Sequence, residues 1–143
     1  MELEGKVFKD SKVWLIEVPS LNLMTQGKTK KEALEMLADA AVGLAECYFD
    51  SDVEKGFSIV VTEHEKGVIG LFASDSKLLL ALSLIRQREK SGSTVRQAAA
   101  RLGSNSPNAY AQYERGKLRI SLEKYDQLLK AVNPDLNSLL NVV

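Results

Sequence analysis

Histidine, cysteine and tryptophan each occur once in this chain, as His64, Cys47 and Trp14, and proline occurs three times. A lone cysteine closes no internal disulfide, which fits a reducing compartment. A lone histidine offers a nucleophilic triad a single choice of base, and it lies in Glu63-His64-Glu65 at an expected turn, as a solvated loop residue. No apolar run reaches the roughly 18–20 residues that span a bilayer. The first ten residues, MELEGKVFKD, lack the apolar centre of a secretory leader. These absences predict a cytoplasmic protein with no membrane partner. Cys47 falls on the apolar side of an expected helix and is assigned to the core.

Arginine is missing from the first half. Residues 1–74 hold 8 lysines against 13 acidic residues, whereas residues 75–143 hold 11 Lys/Arg, including all 6 arginines, against 6 acidic residues. A net charge of zero therefore hides an acidic half joined to a basic one, the distribution expected when one module meets a polyanion.

The pattern predicts an α+β protein of two domains, 1–74 and 75–143. Leu3–Lys9, Val13–Val18 and Leu23–Gln26 read as strands, with a hairpin turn at Asp10-Ser11-Lys12 and Pro19 ending the second. A helix follows to about Phe49, with Thr29 and Glu32 in capping-box positions and Ala33, Leu37, Ala40/Ala41, Leu44 and Tyr48 on its apolar face. Phe57–Thr62 and Val68–Phe72 read as further strands. From Ser76 the chain reads as helices: Leu78–Glu89, Val95–Leu102 capped by Thr94 and stopped by Gly103, a short helix from Ser106, Leu122–Val132 capped by Ser121, and a last one over Leu136–Asn141.

The short helix carries the chemistry. In SPNAYAQYERGK (106–117), Ser106 is the expected N-cap and Pro107 the first helical residue. At about 100° per residue, Ala109, Tyr110 and Tyr113 share an inward face, and Asn108, Gln112 and Arg115 share the opposite one. Asn and Gln pair bidentately with adenine, and Arg with guanine or phosphate. A helix displaying these groups, behind another helix and a glycine turn, is a helix-turn-helix layout. The candidate DNA contacts are Thr94, Arg96, Asn105, Ser106, Asn108, Gln112, Arg115, Lys117 and Arg119. Lys117 and Arg119 hold the backbone, and the amides at the start of the 95–102 helix face a phosphate.

No catalytic constellation emerges, and neither a cofactor nor a metal is expected. Asp50, Asp52 and Glu54 lack the central glycine and terminal Glu of a calcium loop. A metal-dependent nuclease needs converging carboxylates, and the first strand offers only Glu4, near its start. Trp14 reads as a core aromatic of the second strand or as an exposed anchor for a partner.

Residues 78–134 resemble the helix-turn-helix family of phage repressors and xenobiotic-response regulators, through Thr94, Ala99, Gly103 and Glu114-Arg115-Gly116. The turn after Gly103 is one residue longer than that family's common pattern, and Val95 stands where a phosphate-touching glutamine is frequent. The stretch DSKVWLIEVPSLNLMTQGKTKKEALEMLADAA resembles the HicB antitoxin domain, with "TQG" as its short strand and Thr29-x-x-Glu32-Ala33-Leu34 opening its helix. Where that family has "PDLPGC", this chain has Pro19-Ser20-Leu21-Asn22-Leu23-Met24. The resemblance implies a partial RNase H-like N-terminal domain that binds a HicA-type mRNA-cleaving toxin. It also implies a C-terminal domain that represses the protein's own operon as a homodimer or higher homo-oligomer. Trp14 is the residue put forward for toxin contact. The alternative is a stand-alone regulator whose N-terminal domain oligomerises or senses a ligand.

Overall fold

The computed structural model describes residues 1–50, 53, 56–135 and 140–141. The chain divides into two compact units, Met1–Asp75 with Leu139–Val143, and Ser76–Ser138. No helix among the described residues is long and apolar enough to cross a membrane.

The first unit is an antiparallel sheet with one helix. Its strands are β1 (Glu2–Asp10), β2 (Val13–Val18), β3 (Leu23–Gly27), β4 (Ile59–Glu63) and β5 (Val68–Ala73), in the order β3-β2-β1-β5-β4. Ser11, at φ 59°, makes the tight β1–β2 reversal. After β2, Pro19 opens a 3-10 turn (Pro19–Leu21) that buries Ser20 and Leu21, and Asn22 closes it in the left-handed region with its N–H on the Pro19 carbonyl. The segment Pro19–Asn22 is thus built as a packed turn.

Helix α1 (Lys30–Phe49) starts where expected. Thr29 Oγ1 accepts the Glu32 N–H at 3.1 Å, while the Glu32 carboxylate reaches one residue further back than a standard box, to the Lys28 N–H at 3.1 Å. Its buried stripe is Ala33, Leu37, Ala41, Ala45 and Phe49, a strict four-residue repeat. This stripe packs against the sheet face that carries Leu3, Val7, Ile16, Val18, Ile69 and Leu71. Small residues bring the helix close: a Cβ on Gly27 would lie 2.6 Å from the Ala33 nitrogen.

Three expectations are corrected here. Cys47 is exposed, because the buried stripe runs through Ala45 and Phe49 rather than Leu44 and Tyr48. The helix expected over Leu136–Asn141 is absent at its end: Leu140–Asn141 form β6, which pairs with β1 at Leu3↔Leu140 and Glu2↔Asn141. Residues 136–139 lie outside the described residues, as do Asp52 and Glu54 of the acidic group. His64 is not simply solvated, since its Nε2 meets the buried carboxylate of Glu2, which lies over Gly70.

The second unit is helical: α2 (Ser76–Ser91), α3 (Val95–Arg101), α4 (Pro107–Ala111) and α5 (Leu122–Val132). Helix α2 is buried on all sides from Leu78 to Ile85, as befits a central helix. Its single mid-helix hydroxyl, Ser83, donates to the Leu80 carbonyl at 2.6 Å and meets the buried Tyr125 hydroxyl of α5 at 2.5 Å.

Candidate nucleic-acid interface

The interface is assembled by local caps. Thr94 Oγ1 accepts the Gln97 N–H at 3.1 Å, and Gln97 Oε1 accepts the Thr94 N–H at 2.8 Å, a complete capping box that starts α3. The box occupies two of the amides at this end, so those left to face a phosphate are Val95 and Arg96. Helix α3 ends on Gly103 at φ 81°, with Gly103 N–H on the Ala100 carbonyl and Ser104 N–H on the Ala99 carbonyl, a Schellman arrangement that satisfies the last carbonyls. The longer turn is held by Ser104, whose Oγ accepts the Ser106 N–H and donates to the Ser106 carbonyl. Ser106 then caps α4 by accepting the Asn108 N–H at 3.3 Å, with Pro107 in the first turn.

The expected single helix from Ser106 is two pieces. After Ala111 the chain tightens to a 3-10 turn, Gln112–Arg115, and Gly116 at φ 74° ends it. The tightening coincides with Glu114 turning inward to a charged partner: Arg88 of α2 donates Nε to Glu114 Oε2 at 2.7 Å and Nη2 to Oε1 at 2.9 Å. This bidentate fork ties the end of the short helix to the central helix. The Glu114 hydrogen bond raises the Arg88 pKa further, so the guanidinium stays charged at any physiological pH. The buried Tyr110 phenol lies beside the pair, and burial first, then the Glu114 charge, push its pKa far up.

All nine candidate contacts are exposed: Thr94, Arg96, Asn105, Ser106, Asn108, Gln112, Arg115, Lys117 and Arg119. Gln112 and Arg115 are brought together, with Arg115 Nη1 on Gln112 Oε1 at 3.3 Å. The inward face differs from expectation. Tyr110 is fully buried, Tyr113 is half-buried with the Lys124 ammonium 5.5 Å from its ring, and Ala109 is exposed. Inward is the direction of Tyr110 and Glu114, four residues apart, and Ala109 lies about 100° away from it.

Two arginines counted in the basic half serve the fold instead. Arg88 is committed to Glu114, and Arg101 Nη1 donates to Ser93 Oγ and to the Ala131 carbonyl, both at 2.8 Å. The importance of Arg88 was not read from the sequence. Its signal was a charged residue three positions beyond Ile85 on a helix whose other faces are apolar.

In the first unit, Trp14 is half-buried, with the Lys9 and Lys30 ammonium groups 6.0 and 5.9 Å from its ring centroid. Lys30 also pairs with Glu63 at 2.6 Å.

No curated protein matches the chain. Residues 84–135 match the family described as Helix-turn-helix (HTH_3), which covers the end of α2, both short helices, their turn and all of α5. That segment is a helix-turn-helix domain, a finding that supports a DNA-binding transcription regulator.

Proposed function

We propose that the protein is the antitoxin of a type II toxin–antitoxin pair: its helical unit represses its own operon, and its sheet unit neutralises a HicA-type mRNA interferase. The observation that carries the DNA half is the exposure of Asn108, Gln112 and Arg115 along α4 and the 3-10 turn clamped by Arg88–Glu114. Asn108 and Gln112 read base edges, and Arg115 reads guanine or phosphate. Lys117 and Arg119 hold the backbone beyond Gly116. Thr94, Arg96, Asn105 and Ser106 position the preceding turn on phosphates.

The toxin half rests on the HicB resemblance. Three antiparallel strands followed by a helix laid across them suit its partial RNase H-like fold. The surplus of acidic residues in 1–74 suits a basic RNA-binding partner. Trp14 is the candidate contact. On this reading the protein is not an enzyme, needs no cofactor, and works as a homodimer or higher oligomer on a palindromic operator. The stand-alone regulator is the second reading, favoured by a family match confined to residues 84–135.

Growth rescue separates the two. The small reading frame beside the gene is expressed alone, then together with the full chain. Arrest relieved by the full chain establishes the antitoxin, whereas no arrest, or arrest without relief, leaves the stand-alone regulator. For the DNA half, Gln112→Ala costs about 1–3 kcal/mol on the operator and relaxes base preference, while Lys117→Ala weakens all sequences alike. Equal losses on operator and random DNA for Gln112→Ala would contradict the base-reading role.

A further inference from the structure

Among the described residues, strand β4 ends the sheet on one side, and its pairing with β5 fixes which backbone groups it leaves over. Ser58 and His64 share ladder bonds with Ser74 and Val68. Registers alternate along an antiparallel pair, so Val60 and Thr62 also bond toward β5. The N–H and C=O groups of Ile59, Val61 and Glu63 therefore point away from the sheet.

Edges of this kind are normally blunted by lysine, proline or a bulge. Ile59-Val60-Val61-Thr62-Glu63 has none of these: its register to β5 is unbroken, and its one charge, Glu63, is neutralised by Lys30 at 2.6 Å. Next to the edge, Val60 and its cross-strand neighbour Phe72 are 45% and 39% exposed, a pair of large apolar side chains left in water.

We propose that β4 is the seam of a homodimer, in which it pairs antiparallel with β4 of a second copy and the two sheets become one. The occupant follows from the strand itself. The register that pairs all three outward residues centres on Val61 facing Val61, with Ile59 facing Glu63. This register is self-complementary, opposes no like charges, and sets Val60 against Thr62 beside the exposed Phe72. The proposal rests on the helix-turn-helix reading for its purpose, because a symmetric operator engages two reading helices.

The test uses the full chain. Wild type is expected to be dimeric at micromolar concentration by sedimentation. Val61→Pro removes only an outward N–H and leaves the β4–β5 ladder whole. It should raise the dimer dissociation constant by about tenfold or more, with the circular dichroism spectrum unchanged. A second variant guards against misfolding. With Cys47→Ser removing the native thiol, Val60→Cys with Thr62→Cys places thiols at a non-hydrogen-bonded pair about 4.5 Å apart between Cα atoms, within disulfide reach. Mild oxidation should then link two chains, whereas Val60→Cys without Thr62→Cys should not. A monomeric wild type overturns the seam, as does a dimer that ignores Val61→Pro and gives no Val60–Thr62 cross-link. Operator binding by the same preparations, with Gln112→Ala as control, shows separately whether the DNA reading stands.

Discussion

In the sheet unit the helix is seated on the strands through small residues, whereas in the helical unit polar pairs tie the helices to one another. Helix α1 lies against its sheet through Ala33, Ala41 and Ala45, and Gly27 brings β3 against the start of the helix. The helical unit instead buries Ser83 against Tyr125, joins Gln87 to Asn133 at 3.1 Å, forks Arg88 onto Glu114 and ties Arg101 to the end of α5. The difference follows from element length. A 20-residue helix has a long stripe to bury, and van der Waals contact suffices to seat it. Helix α4 has five residues and little surface to bury, and the Arg88–Glu114 fork anchors the 3-10 turn that follows it. On the proposed reading, in which Asn108 and Gln112 meet base edges, this anchoring holds the segment that carries them.

The comparison is broken most severely by Glu114→Ala. It strands the Arg88 guanidinium, 20% exposed, without its partner, and the expected loss of stability is about 3 kcal/mol, the lower end for a buried pair. Replacing both partners, Arg88→Met with Glu114→Leu, should cost clearly less in urea denaturation yet still weaken operator binding, because the apolar pair fixes no angle. If the double variant binds the operator like wild type, the fork has no positioning role.

Gly27→Ala probes the other principle. The added Cβ would meet the Ala33 nitrogen at 2.6 Å and Ala33 Cα at 3.0 Å, backbone atoms that cannot swing aside. Overpacking of this kind costs about 1–3 kcal/mol. Trp14 pairs in register with Gly27 and is the only tryptophan, so its fluorescence reports the sheet unit directly. An unchanged fluorescence midpoint would mean that the close approach of β3 and α1 is not a constraint.

Much of this architecture was legible in the sequence, because it is local. Period-two and period-3.6 patterns gave β2 without error and α1, α2 and α5 within about two residues. Thr29, Thr94, Ser106 and Ser121 all cap the helices they precede. What escaped was non-local. The partner of Leu140 is Leu3, at the other end of the chain, and a two-residue strand has no periodicity to read. The exposure of Cys47 turned on one step in the register of α1, where alanines on neighbouring faces made two stripes plausible. At the candidate site the exposure of Asn108, Gln112 and Arg115 was legible from spacing, but the tightening into a 3-10 turn after Ala111 was not. The Arg88–Glu114 fork was not, because it joins residues of separate helices, 26 apart.

The smallest effect at neutral pH belongs to Tyr125, and it grows in alkali. Tyr125→Phe leaves Ser83 its bond to the Leu80 carbonyl, so the loss should stay near 1 kcal/mol. Burial pushes the Tyr125 phenol from its usual 10 up to about 12, with the Ser83 hydrogen bond pulling weakly the other way. The unfolded phenol therefore ionises first, while the folded one keeps its proton. The stability tied to that proton is intact below pH 10 and drains away as pH rises through 12, by about 2–3 kcal/mol in all. Urea midpoints measured from pH 9 to 12 should fall less steeply for Tyr125→Phe than for wild type, so that the two curves cross in alkali and the variant is the more stable by pH 12. Parallel curves would show that the Ser83–Tyr125 contact, for all its burial, is not what makes the helical unit depend on its polar core.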